Sequence, residues 1–211
     1  MNTYFNCHNH TDYSNLRLLD CINKPETLID KAIELGLSGI AITDHESLSA
    51  HMTVNQYSKK IKEKYPNFKI ALGNEIYLTD DRSTGQKYYH FILIAKDAIG
   101  YRALKELSSI AWQNLYIDRK MERVPLLKSE LKPIVEKYKG HLIATTACIG
   151  GELGTCLLKA VEYREQENSY ELYQTLKQID TFLTFCQDLF GEDFYLEIAP
   201  STAADQKLVN H

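Results

Sequence analysis

Thr3-Tyr-Phe-Asn-Cys-His-Asn-His-Thr-Asp12 reads as a first strand and the segment that leaves it. Alternation along a strand sends residues i and i+2 to one face, so His8 and His10 project side by side at its end. Imidazole is the commonest nitrogen ligand for zinc and its first-row neighbours, and two rings on one face can hold one ion without bending the backbone. Two histidines exposed where a strand fades into a loop would satisfy the same pattern. A second run favours the chelate: Gly39-Ile-Ala-Ile-Thr-Asp-His45 is another apolar strand that ends in an acid and a histidine.

Working outward, strands alternate with helices. Pro25 opens a helix over 26–35 with apolar residues at Leu28, Ile29, Ala32, Ile33 and Leu35, and Gly36 stops it. The strand 40–43 is apolar on both faces, as expected of a parallel strand covered by helices. Ser47 or Ser49 is placed to cap a helix reaching about Tyr65, which Pro66 ends. Lys69 to Gly73 is a third strand with Asn74-Glu75 just past its end, and Tyr89 to Ala95 a fourth with His90 near its start. Helices over 101–116 and 127–138 lead to a strand 141–145. The turn Cys148-Ile-Gly-Gly-Glu152 then opens a helix to about Ala160. Glu162 to Asn168 reads as a solvated junction, followed by a helix 170–190 and a strand 194–198. Such alternation gives an open doubly wound sheet or a closed barrel. The chemistry prefers the barrel, because His10, His45, Glu75 and Cys148 all fall at or beyond the carboxyl ends of different strands, where a barrel gathers its functional side chains. No glycine-rich nucleotide-binding loop is present.

Composition narrows the function. A chain of 211 residues with 44% hydrophobic and 25% charged side chains fits one globular domain, 1–211. A net charge of -4 argues against a broad basic face for nucleic-acid backbones, so a phosphate substrate must be held locally, by metals or a few cations. The five cysteines form no Cys-x-x-Cys pair and fit a reducing cytosol. The start lacks an apolar signal core, and no run approaches the roughly 20 apolar residues of a membrane span. The expectation is a soluble, cytoplasmic protein beginning at its natural start.

Five stretches carry a family resemblance: His8-Asn-His10-Thr-Asp-Tyr-Ser14, Ala41-Ile-Thr-Asp-His45, Leu72-Gly-Asn-Glu75, His90-Phe-Ile-Leu-Ile-Ala-Lys96 and Ala147-Cys-Ile-Gly-Gly-Glu152. In order and spacing they resemble the polymerase-and-histidinol-phosphatase (PHP) domain, closest to the version at the N-terminus of bacterial DNA polymerase III alpha subunits. Gly100-Tyr-Arg-Ala-Leu and Phe194-Tyr-Leu-Glu-Ile point to that version too. The resemblance covers essentially the whole chain. It implies an α/β fold, a distorted TIM-like (β/α)7 barrel, here truncated before its last strand because the family's closing Asp-x-His should follow His211.

The resemblance further implies that His8, His10, His45, Glu75, His90 and Cys148 ligate two or three divalent metal ions, with His8, His10, His45, Glu75 and His90 forming the catalytic set. Asp20 matches the acid of the family's first loop, with Asp12 the competing candidate, and Asp44 is assigned to orienting a neighbouring ligand. Mixed His, Glu and Cys donors favour zinc, with manganese or iron as alternatives. The implied chemistry is metal-dependent phosphoester hydrolysis, of the 3′-to-5′ exonuclease or proofreading type on DNA 3′ ends, impaired by the truncation. Two alternatives stand beside it: a non-catalytic scaffold that stabilises the polymerase or docks a proofreading exonuclease or other replisome subunit, and a stand-alone phosphatase of the histidinol-phosphate type. The bland readings cover the rest. His51 and His141 are structural, Cys7, Cys21, Cys156 and Cys186 are packing residues, Trp112 and the tyrosines are core or rim, and Arg119 to Arg123 is a solvated loop.

Overall fold

A computed structural model describes residues 4–16, 21–83, 87–118 and 121–211. Among them the chain runs β1 (Phe5–Asn6), α1 (Pro25–Glu34), β2 (Gly39–Ile42), α2 (His51–Ile61), β3 (Lys69–Thr79), β4 (Tyr89–Ala95) and α3 (Ala98–Gln113). It continues through a hairpin of β5 (Tyr116–Asp118) and β6 (Met121–Arg123), then β7 (Leu126–Leu127), α4 (Lys128–Lys137), β8 (Leu142–Thr145), α5 (Glu152–Glu165), α6 (Ser169–Phe190), β9 (Phe194–Tyr195) and α7 (Ala204–Asn210). The main sheet is ordered β1-β2-β3-β4-β8-β9, with β7 added to the far end of β3, and it curls into a half-barrel.

The helices sit where their chemistry puts them. Pro25, whose missing N–H costs nothing in the first turn, starts α1, and Gly36 at φ +71 ends it. Asp97 caps α3 by accepting from the N–H groups of Ile99 and Gly100 at 2.8 and 2.9 Å. The expected serine cap of α2 is not used. Its cap residue is Ala50, and Ser47 and Ser49 bond one another in the preceding turn; the helix also stops at Ile61, short of Tyr65.

Two differences from the sequence reading position the site. First, β3 is eleven residues long, so Glu75 lies in mid-strand, not beyond its end. Second, β4 runs antiparallel to both β3 and β8, while β1, β2 and β3 are mutually parallel and β9 is parallel to β8. The physical reason is the connection: among the described residues between Thr79 and Tyr89 there is no helix, and a short link of that kind returns a strand antiparallel. The start of β4, with His90, is thereby brought to the same end of the sheet as the carboxyl ends of its neighbours. The last strand is also shorter than expected, two residues in place of five.

Strand alternation sorts the two faces. Ile40 and Ile42 pack outward against Ile29, Ala32 and Val54 of α1 and α2. Ile76, Leu78, Phe91 and Leu93 pack outward with Leu104, Leu107, Leu131 and Phe182 of α3, α4 and α6. Each fully buried Leu or Phe there contributes about 2 kcal/mol by area. The inner face is graded: Ala41, Ala71, Ile92, Ile94 and Ile143 make an apolar floor, while Glu75, Tyr77, His90 and Thr145 continue the same face to a polar rim.

Candidate metal centre

Backbone pairing carries the site residues beyond the regular strands. The Asp44 carbonyl accepts from Glu75 N–H at 3.1 Å, and Glu46 N–H donates to the Glu75 carbonyl at 2.8 Å, so His45 lies bridged beside Glu75 past the end of β2. His90 is bridged likewise to Gly151. Two non-glycine residues flanking the site have left-handed backbones, Glu46 at φ +47 directly after His45 and Ala147 at φ +57 directly before Cys148. Such strain, about 1–3 kcal/mol each, collects where chain direction is dictated by a site. Glu46 is held in place by Val124 N–H on its carboxylate and by Trp112 Nε1–H on its carbonyl.

The side chains converge on Glu75, which is fully buried. Its Oε2 lies 2.6 Å from His45 Nδ1 and 3.3 Å from His10 Nε2, and its Oε1 2.7 Å from His90 Nδ1 and 3.7 Å from His8 Nε2. Neither oxygen has a hydrogen-bonding partner in proper geometry. His8, His10 and Glu75 form one group, and His45, Glu75 and His90 a second, each with its potential ligand atoms within 4.8 Å of one another. Glu75 is common to both. Burial opposes ionisation of Glu75, but the imidazoles of His45, His8 and His90 hold its carboxyl well below the ordinary range.

Two hydrogen-bond relays aim the rings. Ser14 Oγ donates its single hydrogen to Asp44 Oδ1 at 2.8 Å, so it can only accept from His10 Nδ1, 3.2 Å away. Asp44, buried, is itself held by Thr11 N–H and Oγ1–H at 2.6 and 2.8 Å. His8 Nδ1 lies 2.6 Å from Glu197 Oε1. Both Nε2 atoms are thus left facing one another, 2.9 Å apart. At that separation two nitrogens must share a proton or a cation. Burial works against charge on His8 and His90, but Glu197 and Glu75 push His8 up to about 10, and Cys148 and Glu75 do the same for His90.

The residues suit metal ions: buried carboxylate oxygens without hydrogen bonds, crowded imidazole nitrogens and a nearby thiol are a donor set for borderline divalent cations. Of the residues expected there, His8, His10, His45, Glu75 and His90 come together. Cys148 stands next to them, its Sγ 3.6 Å from His90 Nδ1 and accepting from Gly150 N–H at 3.4 Å. Asp20 lies outside the described residues. Asp12 is paired with Lys24 and belongs to neither metal-ligating group.

The bland readings fare unevenly. His51 Nε2 bonds the Gly73 carbonyl at 2.9 Å, and His141 Nδ1 bonds Asp97 at 2.7 Å, both away from the site as expected. Cys156 and Cys186 are buried packing residues, their thiols pushed by burial to about 11 and about 12. Cys7, by contrast, is exposed and Cys21 half-buried, because each belongs to a segment entering or leaving the rim and not to a helix interface. Arg119 and Lys120 lie outside the described residues, but Arg123 is half-buried with its guanidinium over the Tyr88 ring. Tyr88 stacks on Tyr77 and Tyr77 on His90, so an aromatic column runs from the site outward. Burial, then Glu46 and Glu75, push the Tyr77 phenol far up, so it keeps its proton; its hydroxyl lies 3.1 Å from His45 Nδ1. Sequence reasoning also missed Glu197. The signal that could have found it is its place in the family-like stretch Phe194-Tyr-Leu-Glu-Ile198.

The family model of the PHP domain matches residues 6–201. The chain is 39% identical over 216 residues to the protein named Probable DNA polymerase YorL of Bacillus subtilis (strain 168), covering 97% of this chain and 17% of that one. It is 32% identical to DNA polymerase III subunit alpha of Borreliella burgdorferi over 214 residues, covering 98% and 16%. It is 28% identical to the subunit of the same name from Aquifex aeolicus over 219 residues, again covering 98% and 16%. The chain therefore spans 16–17% of the length of these relatives. No helix among the described residues is long and apolar enough to cross a membrane.

Proposed function

This chain belongs to the PHP domain family, and we propose that it is the metal-dependent phosphoesterase domain of a DNA polymerase, acting on DNA 3′ ends in the manner of a proofreading 3′-to-5′ exonuclease. The observation that carries the reading is Glu75, fully buried, with both oxygens lacking hydrogen bonds and four imidazoles around it. His8, His10 and Glu75 would hold one divalent ion and His45, Glu75 and His90 another, with Cys148 beside the second. When bound, such ions lower the pKa of water and polarise a phosphoryl group. Zinc suits the mixed nitrogen, oxygen and sulfur donors, with manganese or iron as alternatives.

The chain's own residues supply the rest. Glu75, common to both groups, would supply its negative charge to both ions. Asp44 through Ser14 fixes His10, and the apolar floor of Ala41, Ile92 and Ile94 closes the site from below, excluding water from the inner side. Tyr77 keeps its proton and places its hydroxyl 3.1 Å from His45 Nδ1. The polymerase names of the relatives favour a replication enzyme over a stand-alone phosphatase of the histidinol-phosphate type.

A second reading, a scaffold in which metal ties strand ends together without catalysis, has one observation in its favour: the sheet edges β1 and β9 are only two residues each, and site residues follow both. The experiment that separates the two is release of nucleotides from a 3′-labelled single-stranded DNA with added zinc or manganese. The phosphoesterase reading expects metal-dependent release abolished by Glu75→Gln. Stoichiometric metal binding without release would transfer the site to the scaffold.

A further inference from the structure

We propose that Glu197 is a positioning residue for the metal centre, fixing the proton of His8 on Nδ1 and clasping the two edges of the sheet together at the rim. The inference rests on the reading of His8 as a metal ligand. Glu197 follows β9 by two residues as His8 follows β1 by two, and β1 and β9 are the outermost strands of the order β1-β2-β3-β4-β8-β9. The 2.6 Å contact between His8 Nδ1 and Glu197 Oε1 therefore joins residues 189 apart in sequence and bridges one sheet edge to the other.

Glu197 is itself held from three directions. Thr145 Oγ1–H donates to its Oε2 at 2.9 Å, its backbone N–H donates to Thr146 Oγ1 at 3.0 Å, and the Tyr195 carbonyl two residues earlier accepts from Thr146 N–H at 3.2 Å. Both carboxylate oxygens are thus spoken for, and the side chain is only 14% exposed. A carboxylate accepts only, so the shared proton belongs to His8 Nδ1, and Nε2 is left to face His10 and Glu75. A carboxylate behind a metal-binding imidazole orients the ring and raises its basicity, and losing such a partner typically weakens metal binding by about 10–100-fold. The Thr145–Glu197–His8 relay also differs in kind from Asp44–Ser14–His10: it carries the charge directly onto the ring and comes from the opposite edge of the sheet.

The test compares wild type with Glu197→Gln and Glu197→Ala in two measurements. In zinc competition against a chelator at fixed pH, the variants should bind about 10–100-fold more weakly than wild type, with Ala worse than Gln, which keeps an acceptor without the charge. Far-UV circular dichroism of the metal-free variants should match wild type. Long-range ¹⁵N correlation spectra of the metal-free protein, taken in alkaline solution where the ring is neutral, should show His8 protonated at Nδ1 in wild type and shifted toward Nε2 protonation in Glu197→Ala. Equal zinc affinity in all three proteins overturns the proposal. So does an unchanged His8 spectrum in Glu197→Ala, whatever the zinc result. If wild type itself takes up no zinc, the metal reading of the site fails, and the His8 spectrum alone then decides the positioning role.

Discussion

Glu75 and His45 are joined twice, by a 2.6 Å approach of carboxylate to imidazole and by parallel pairing of their backbones. The second link makes the first rigid, because neither residue can swing away without breaking the hydrogen bonds that Glu75 makes to Asp44 and Glu46. A carboxylate held this way in a buried position, and left without hydrogen bonds, is costly unless a cation completes it. Glu75→Gln should accordingly reduce bound divalent metal at both subsites at once, whereas His10→Ala should affect chiefly the subsite it shares with His8. Elemental analysis of the two purified variants checks this; equal metal in Glu75→Gln and wild type would contradict it.

Ser14 links Asp44 to His10 through a hydroxyl that has one hydrogen to give. Ser14→Ala leaves Asp44 one partner short and His10 Nδ1 without its acceptor. The expected result is a loss of about 1–3 kcal/mol of stability and a weakening of metal binding of about tenfold. Denaturant unfolding and chelator competition measure the two, and a variant as stable as wild type with unchanged affinity would remove Ser14 from the site.

Residues 3–12 and 39–45 suggested that His8, His10 and His45 gather, but by strand alternation; β1 ends at Asn6 and β2 at Ile42, so the three rings are carried by the segments that follow the strands. Glu75 was harder. Lys69 to Gly73 reads as a strand that ends at the polar pair Asn74-Glu75, and only the packing shows that the strand continues with both polar side chains buried. The reversal of β4 was implicit in the short polar link that joins Thr79 to Tyr89. The stretch holding Glu197 stood out in the sequence, but the roles of Glu197 and Arg123 did not, since each gains its role from a contact with a residue far away in sequence, His8 for one and Tyr88 for the other.

Away from the site, Lys128 Nζ lies 2.8 Å from Glu152 Oε2, whose side chain is only 3% exposed, with Gln178 Nε2–H donating to the other oxygen at 2.9 Å. Burial disfavours the lysine's charge, but Glu152 and Asp80 raise its pKa above the usual value. A raised folded-state pKa means a contribution fully present below about 10.5 and lost only as pH rises through the higher folded value. Lys128→Met should therefore cost about 3 kcal/mol at neutral pH by stranding Glu152, and the difference from wild type should shrink only in strongly alkaline solution. Urea unfolding at pH 7 and pH 11 tests it; an equal difference at both would contradict the sign.

Gly151 leaves no room for a side chain. A Cβ there would meet the Thr146 carbonyl oxygen, with the carbonyl oxygens of Cys148 and His90 at 3.1 and 3.2 Å behind it. Gly151→Ala should destabilise the protein by about 1–3 kcal/mol and push the Cys148 turn away from His90. Thermal melting with and without added zinc would show it as a lower melting temperature and a smaller zinc-dependent rise. A rise equal to that of wild type would show that the turn plays no part in holding metal.

If one buried carboxylate, Glu75, serves two cation subsites, anomalous diffraction from crystals grown with zinc or manganese will show two peaks, one bonded to His8, His10 and Glu75 and the other to His45, Glu75 and His90. A map with no peak on Glu75, or with metal bound only elsewhere on the molecule, would contradict it.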